Sequence, residues 1–183
     1  MTYSETARRV RTRDRIRRTK LHHEAEGYLE IGMARNALEA LNRLGDSDGF
    51  DPHTQYLRGE SLRMMERYEE AIAPLRRAAE IVPDDLHVWL ALGWCYKRSG
   101  QIQLAIDALE KALTAEPAEE SLVHYNLACY WSLAGNKEQA LEHLGQALAI
   151  DPDYRQLIDT EADFDPIRRD PDFQALCEGT RIV

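Results

Sequence analysis

The residues best suited to chemistry in this 183-residue chain are its six histidines, its three cysteines and a group of aspartates near the C-terminus. His22 and Glu26 stand four apart, as do Glu120 and His124, a spacing that puts two ligands on one helix face. Neither pair has an evident third ligand, which a metal site needs, so both read as solvated helix faces. Cys95, Cys129 and Cys177 lack CxxC spacing and cannot all pair. That argues against a zinc cage or a disulfide framework and for a reducing, cytoplasmic compartment. Cys95 and Cys129 lie among small residues and read as core or groove positions rather than nucleophiles. Asp163, Asp165, Asp170 and Asp172 are spaced like a calcium loop only superficially, lacking its glycine and closing glutamate. No HExxH, GxSxG, GxGxxG or P-loop sequence occurs. The expectation is a protein with no catalytic residue, no metal and no cofactor.

What remains is a surface, and the elements that would build it. Hydrophobic residues make up 44% of the chain and charged residues 30%, a globular balance. The longest apolar run, Val88–Tyr96, is far too short for a membrane span. The basic N-terminus is not followed by an apolar stretch, so it does not read as a secretory signal. The net charge of −9 conceals a division: residues 1–20, with Arg8, Arg9, Arg11, Arg13, Arg15, Arg17, Arg18 and Lys20, carry +6, and the rest −15. Such an arm suits contact with nucleic acid or an anionic surface, or lies on the acidic body of another copy. It equally suits a solvated leading helix, and it has no aromatic residues to stack on bases.

A period runs through the chain. Ala71, Ala105 and Ala140 are 34 and 35 residues apart, and Leu75, Leu109 and Leu144 keep the same steps. So do Ala78, Ala112 and Ala147, then Pro83, Pro117 and Pro152, while Gly59, Gly93 and Ala128 complete the columns. Stepping back by 34 reaches Ala37 and Leu41, with Leu44 and Gly49 at the other two places. Four units result, 18–51, 52–85, 86–120 and 121–154, behind a basic arm at 1–17 and ahead of a capping segment at 155–183. Each unit reads as two amphipathic helices. In the third, Trp89, Leu92 and Tyr96 mark one buried stripe, and Ile102, Ala105, Ile106, Leu109 and Leu113 the other, with Gly100 between them and Pro117 as the stop. Ser121 and Asp84 or Asp85 are candidate N-caps. Gly59, Gly93, Ala105 and Ala140 mark close helix crossings, and Trp89 and Trp131 are expected on buried stripes. After a helix at 153–159, the two Asp-Pro pairs at Asp165 and Asp170 predict short helical turns that dock Phe164, Ile167, Phe173 and Leu176 on the fourth unit.

Trp89-x2-Leu92-Gly93-x2-Tyr96, followed by Gly100, Ala105, Leu109, Ala112 and Pro117, resembles a full tetratricopeptide repeat (TPR). Leu127, Ala128, Trp131, Gly135, Ala140, Leu144, Ala147 and Pro152 match it again. The second unit matches but carries Glu66 at the turn glycine, and the first keeps Tyr28, Gly32, Ala37 and Leu41. The resemblance implies an all-α, right-handed α-solenoid of stacked helix-turn-helix repeats with a C-terminal capping helix.

It also implies a role as a scaffold or adaptor that holds a peptide or helix of a partner protein in a concave groove lined by the first helix of each unit. The places that face such a groove hold His22, Glu26 and Leu29, then His53, Tyr56, Glu60 and Arg63. They continue with His87, Leu90, Trp94 and Lys97, then Leu122, Tyr125, Cys129 and Ser132. Tyr56, Glu60, Arg63, Leu90, Trp94, Lys97, Tyr125 and Cys129 are the partner-binding candidates, with Trp94 displaced from the inward stripe toward the groove. The two-carboxylate clamp known in this family is missing, since its places hold His22, Glu26, Leu57, His87 and Ala91.

Overall fold

A computed structural model describes residues 3–45, 51–115 and 120–179, with side chains from residue 12 onward except that of residue 115. The described residues are all helix and turn, with no strand. Eight helices make four hairpins: α1 (Tyr3–Glu30) with α2 (Ala34–Asn42), α3 (Pro52–Met64) with α4 (Tyr68–Ile81), α5 (Leu86–Arg98) with α6 (Ile102–Ala115), and α7 (Glu120–Leu133) with α8 (Lys137–Ile150). The tail adds a 3-10 turn (Pro152–Tyr154), α9 (Arg155–Ile158), a second 3-10 turn (Ala162–Phe164) and α10 (Pro171–Cys177). The architecture is the expected all-α one, helix-turn-helix repeats followed by a C-terminal cap. The chain forms two compact units, Met1–Pro83 and Asp84–Val183.

The periodic columns are the hairpin cores. Ala37, Leu41, Ala71, Leu75, Ala78, Ala105, Leu109, Ala112, Ala140, Leu144 and Ala147 have no exposed surface. The small residues stand where helices cross: a Cβ on Gly59 would overlap Cγ of Leu75 and lie 2.5 Å from its Cδ2, and one on Gly93 would lie 3.2 Å from Cδ2 of Leu109. Each hairpin turns in the same way. The amide of Gly100 donates to Lys97 O (3.0 Å) and that of Gln101 to Tyr96 O (2.9 Å), a pairing that requires a left-handed residue at 100. In the second hairpin Glu66 takes that conformation, φ 58°, with the same two bonds to Arg63 O and Leu62 O at 2.9 Å each.

Several local expectations need correction. α1 runs through positions 17 and 18 without a break, so the basic arm is the first part of the first unit's own helix. Ser121 lies inside α7, which starts at Glu120. Asp85 caps α5 as expected, accepting from His87 N and Val88 N, while Asp51, accepting from Thr54 N, and Asn136, accepting from Gln139 N, cap α3 and α8. Trp89 and Trp131 are only half-buried; Val88, one residue before Trp89, is packed more deeply. The helix expected at 153–159 is a 3-10 turn and one turn of α-helix. Of the two Asp-Pro pairs only Asp170-Pro171 opens a helix, with Asp170 accepting from Asp172 N and Phe173 N. Pro117, Gly49 and the side chains of Arg8, Arg9 and Arg11 lie outside the described residues.

Candidate functional site

In the first unit the first-helix positions are tied to one another by polar contacts. Thr54 donates its hydroxyl to Asp51 Oδ2 (2.6 Å), which leaves its oxygen free to accept from His22 Nε2 (2.7 Å). That relay fixes the Nε2–H tautomer of His22. Burial holds His22 below the usual histidine value, against the opposing pull of Asp51. Burial would raise the Asp51 carboxyl, but the hydroxyl and amide of Thr54, with His22 and Arg18, outweigh it and hold it low. Alongside, Glu26 accepts from His53 Nε2 (2.7 Å) and pairs with His23 Nδ1 (3.0 Å), and the rings of His22 and His53 meet edge to face at 4.9 Å. Farther along α3, Arg63 donates to both oxygens of Glu60 at 2.8 Å, so these two candidates neutralise each other. Tyr56 is half-buried against the core of Leu21, Ala25 and Leu57.

The second unit is aromatic where the first is polar. On α5, Leu90 is half-buried and Trp94 is 39% exposed. Lys97, one turn on, holds its ammonium 5.4 Å from the Trp94 ring centre and 5.5 Å from that of Tyr130 on α7, within the range of cation–π attraction. The same ammonium is salt-bridged to Asp163 of the tail, and both side chains are largely withdrawn from solvent. Tyr125 on α7 is stacked on Tyr154 at 4.7 Å and meets Phe164 edge-on at 5.8 Å. Phe164 is fully buried and packs onward to Phe173, at 5.4 Å. Tyr125 and Cys129 are themselves buried, so on this face the chain's own residues 154–164 cover two of the candidates and neutralise a third.

The tail aspartates have protein cations as partners. Asp163 has Lys97, Asp165 accepts from Arg168 at 2.9 Å, and Lys137 lies 3.0 Å from Asp170 and 3.1 Å from Asp172. Cys129 Sγ and carboxylate oxygens of Glu161 and Asp163 lie within 4.8 Å of one another. Burial, then Glu161 and Asp163, push that thiol well above its ordinary value despite the opposing pull of Lys97. On α1, Arg17 donates to the carbonyl of Arg43 and Arg18 lies 3.9 Å from Asp51, while among the described residues Arg13, Arg15, Arg17 and Lys20 are exposed. No helix is long and apolar enough to cross a membrane among the described residues.

Of the residues expected to dock on the fourth unit, Phe164, Ile167 and Phe173 are buried, and Leu176 is half-buried beside Gly145 of α8. Sequence reasoning missed that Asp163, the residue before Phe164, reaches back to α5 of the third unit. The signal was available as charge: Lys97 and Arg63 are the only cations among the first-helix candidates, and Asp163 adjoins the docking aromatic.

Tetratricopeptide repeat family models match residues 53–116 and 121–154, together more than half of the chain. The chain is 27% identical over 111 residues to the Phagocyte signaling-impaired protein of Drosophila pseudoobscura pseudoobscura, covering 61% of this chain and 12% of that protein's length. Among solved structures, one described as MamA AMB-1 superposes with a TM-score of 0.70 over 89% of this chain and 98% of its own, at 21% identity. YrrB, described as a TPR protein with an unusual peptide-binding site, superposes with a TM-score of 0.65 at 24% identity, over 74% of this chain and 70% of its own.

Proposed function

Because this chain belongs to the tetratricopeptide repeat family, whose members bind protein or peptide partners, we propose that it is a non-catalytic interaction module that grips a partner segment with its first-helix faces. The observation that carries this reading is Trp94. It is a large indole left exposed on α5 between half-buried Leu90 and the cation Lys97, in a unit whose other aromatic side chains are packed. Exposed tryptophan beside a fixed charge is the composition of a binding hot spot. The peptide site named for YrrB is consistent with such a role.

Replacement of Trp94 with a photo-reactive phenylalanine, and of exposed Gln103 on α6 as a control, tests the reading in an extract of the native source. A discrete polypeptide adduct from position 94 and none from position 103 is expected. Equal labelling from both, or adducts with nucleic acid alone, would remove α5 as the binding face.

A further inference from the structure

We propose that Glu161–Phe164 is a resident ligand of the α5–α7 face, and that the partner of this face carries the same chemistry, an acidic residue followed directly by an aromatic one, and displaces it. This rests on the reading of that face as a partner-binding surface. Asp163 delivers a carboxylate to Lys97, which the flanking rings of Trp94 and Tyr130 hold in place. Phe164, the next residue, delivers a ring to the edge of Tyr125. The pair is thus a two-point anchor, one charge and one ring, spaced by a single peptide bond and reading both α5 and α7.

The resident fills this face incompletely. Trp94 stays exposed next to the Lys97–Asp163 bridge, and the buried hydroxyl of Tyr125 has no hydrogen-bond partner among the described residues. A longer ligand that repeats the anchor, covers the indole and meets the phenol gains contacts the tail does not make. The elements that hold the resident are short: a three-residue 3-10 turn, the four residues of α9 and the seven of α10. Their outer fastening is the Lys137 bridge to Asp170 and Asp172, which is partly solvated and screened by salt. A tethered ligand competes at millimolar effective concentration, so it weakens every partner by a constant factor that its removal returns.

The test uses the full chain and a labelled peptide with the sequence of residues 159–167, followed by fluorescence polarisation. The Asp163→Ala/Phe164→Ala variant is expected to bind the peptide at least tenfold more tightly than the wild-type chain, with affinity falling as salt rises. Adding Lys97→Glu should abolish that gain. Should the double variant lose its native circular dichroism, Asp163→Ala alone retains Phe164 and is expected to show a smaller gain with the same dependence on Lys97. No binding by a folded variant, or binding indifferent to Lys97→Glu, would overturn the proposal. Photo-labelling from position 94 that persists when the peptide fails would sink the resident-ligand idea alone. Peptide binding without such labelling would instead sink the reading of Trp94.

Discussion

The α1–α3 positions of the first unit and the α5–α7 positions of the second occupy the same places in a repeat, yet they are finished with opposite chemistry. In the first, His22, Thr54, Asp51, His53 and Glu26 satisfy one another through short hydrogen bonds. In the second, Tyr125 and Cys129 are roofed by the tail, Lys97 is held by Asp163, and Trp94 is left open. The repeat therefore fixes where a side chain stands and leaves its use free. A self-contained polar ladder gives a surface little to gain from a partner, whereas an uncovered indole beside a bridged lysine is where the proposed partner would gain contacts.

The two units can be set apart first by their crossings. Gly59→Ala in the first should destabilise the chain by about 1–3 kcal/mol, because the new methyl overlaps Leu75, which has no solvent to move into. Gly93→Ala in the second should cost clearly less, its nearest contact being 3.2 Å. Urea unfolding of both variants reads the difference; equal losses would mean the crossings are equally tight. Glu66→Gly acts the other way. It removes a left-handed strain that the second unit's turns at Gly100 and Gly135 avoid, and a gain of about 0.5–1 kcal/mol in unfolding free energy is expected.

The smallest contrast lies in acid response, where the units should behave alike. His22 is held below its ordinary value by burial, with His53 and Arg18 adding and Asp51 and Glu26 opposing. His143 is lowered by burial and then by His124, whose Nδ1 lies 2.9 Å from its own. A depressed histidine stays neutral in the fold while the unfolded chain takes up its proton. Stability is therefore complete above about pH 6.5 and falls as pH drops through the folded values. The urea midpoint should decline from pH 7 to pH 5, and His22→Gln with His143→Gln should flatten that decline.

Much of this was legible in the sequence, for a physical reason. Close helix crossings tolerate only small residues, so Gly59, Gly93, Ala105 and Ala140 announce themselves by period. Left-handed turns select glycine, so Gly100 and Gly135 did likewise, and Glu66 could be placed even as the exception. The aromatic docking of Phe164 followed from a solenoid's need for a cap. The cover over Tyr125 and Cys129 was hidden because it joins residues some 35 positions apart through an irregular segment with no period. The half-burial of Trp89 and Trp131 was hidden because a helix packed on several sides has no single stripe to count from.

The most direct measurement is the affinity of the captured partner for Trp94→Ala, taken together with that variant's thermal melting. A loss of at least tenfold in affinity with an unchanged melting temperature and helical signal is the expected result. A variant that melts many degrees lower, or one that binds as the wild-type chain does, would place Trp94 in the scaffold and leave α5 without a docking role.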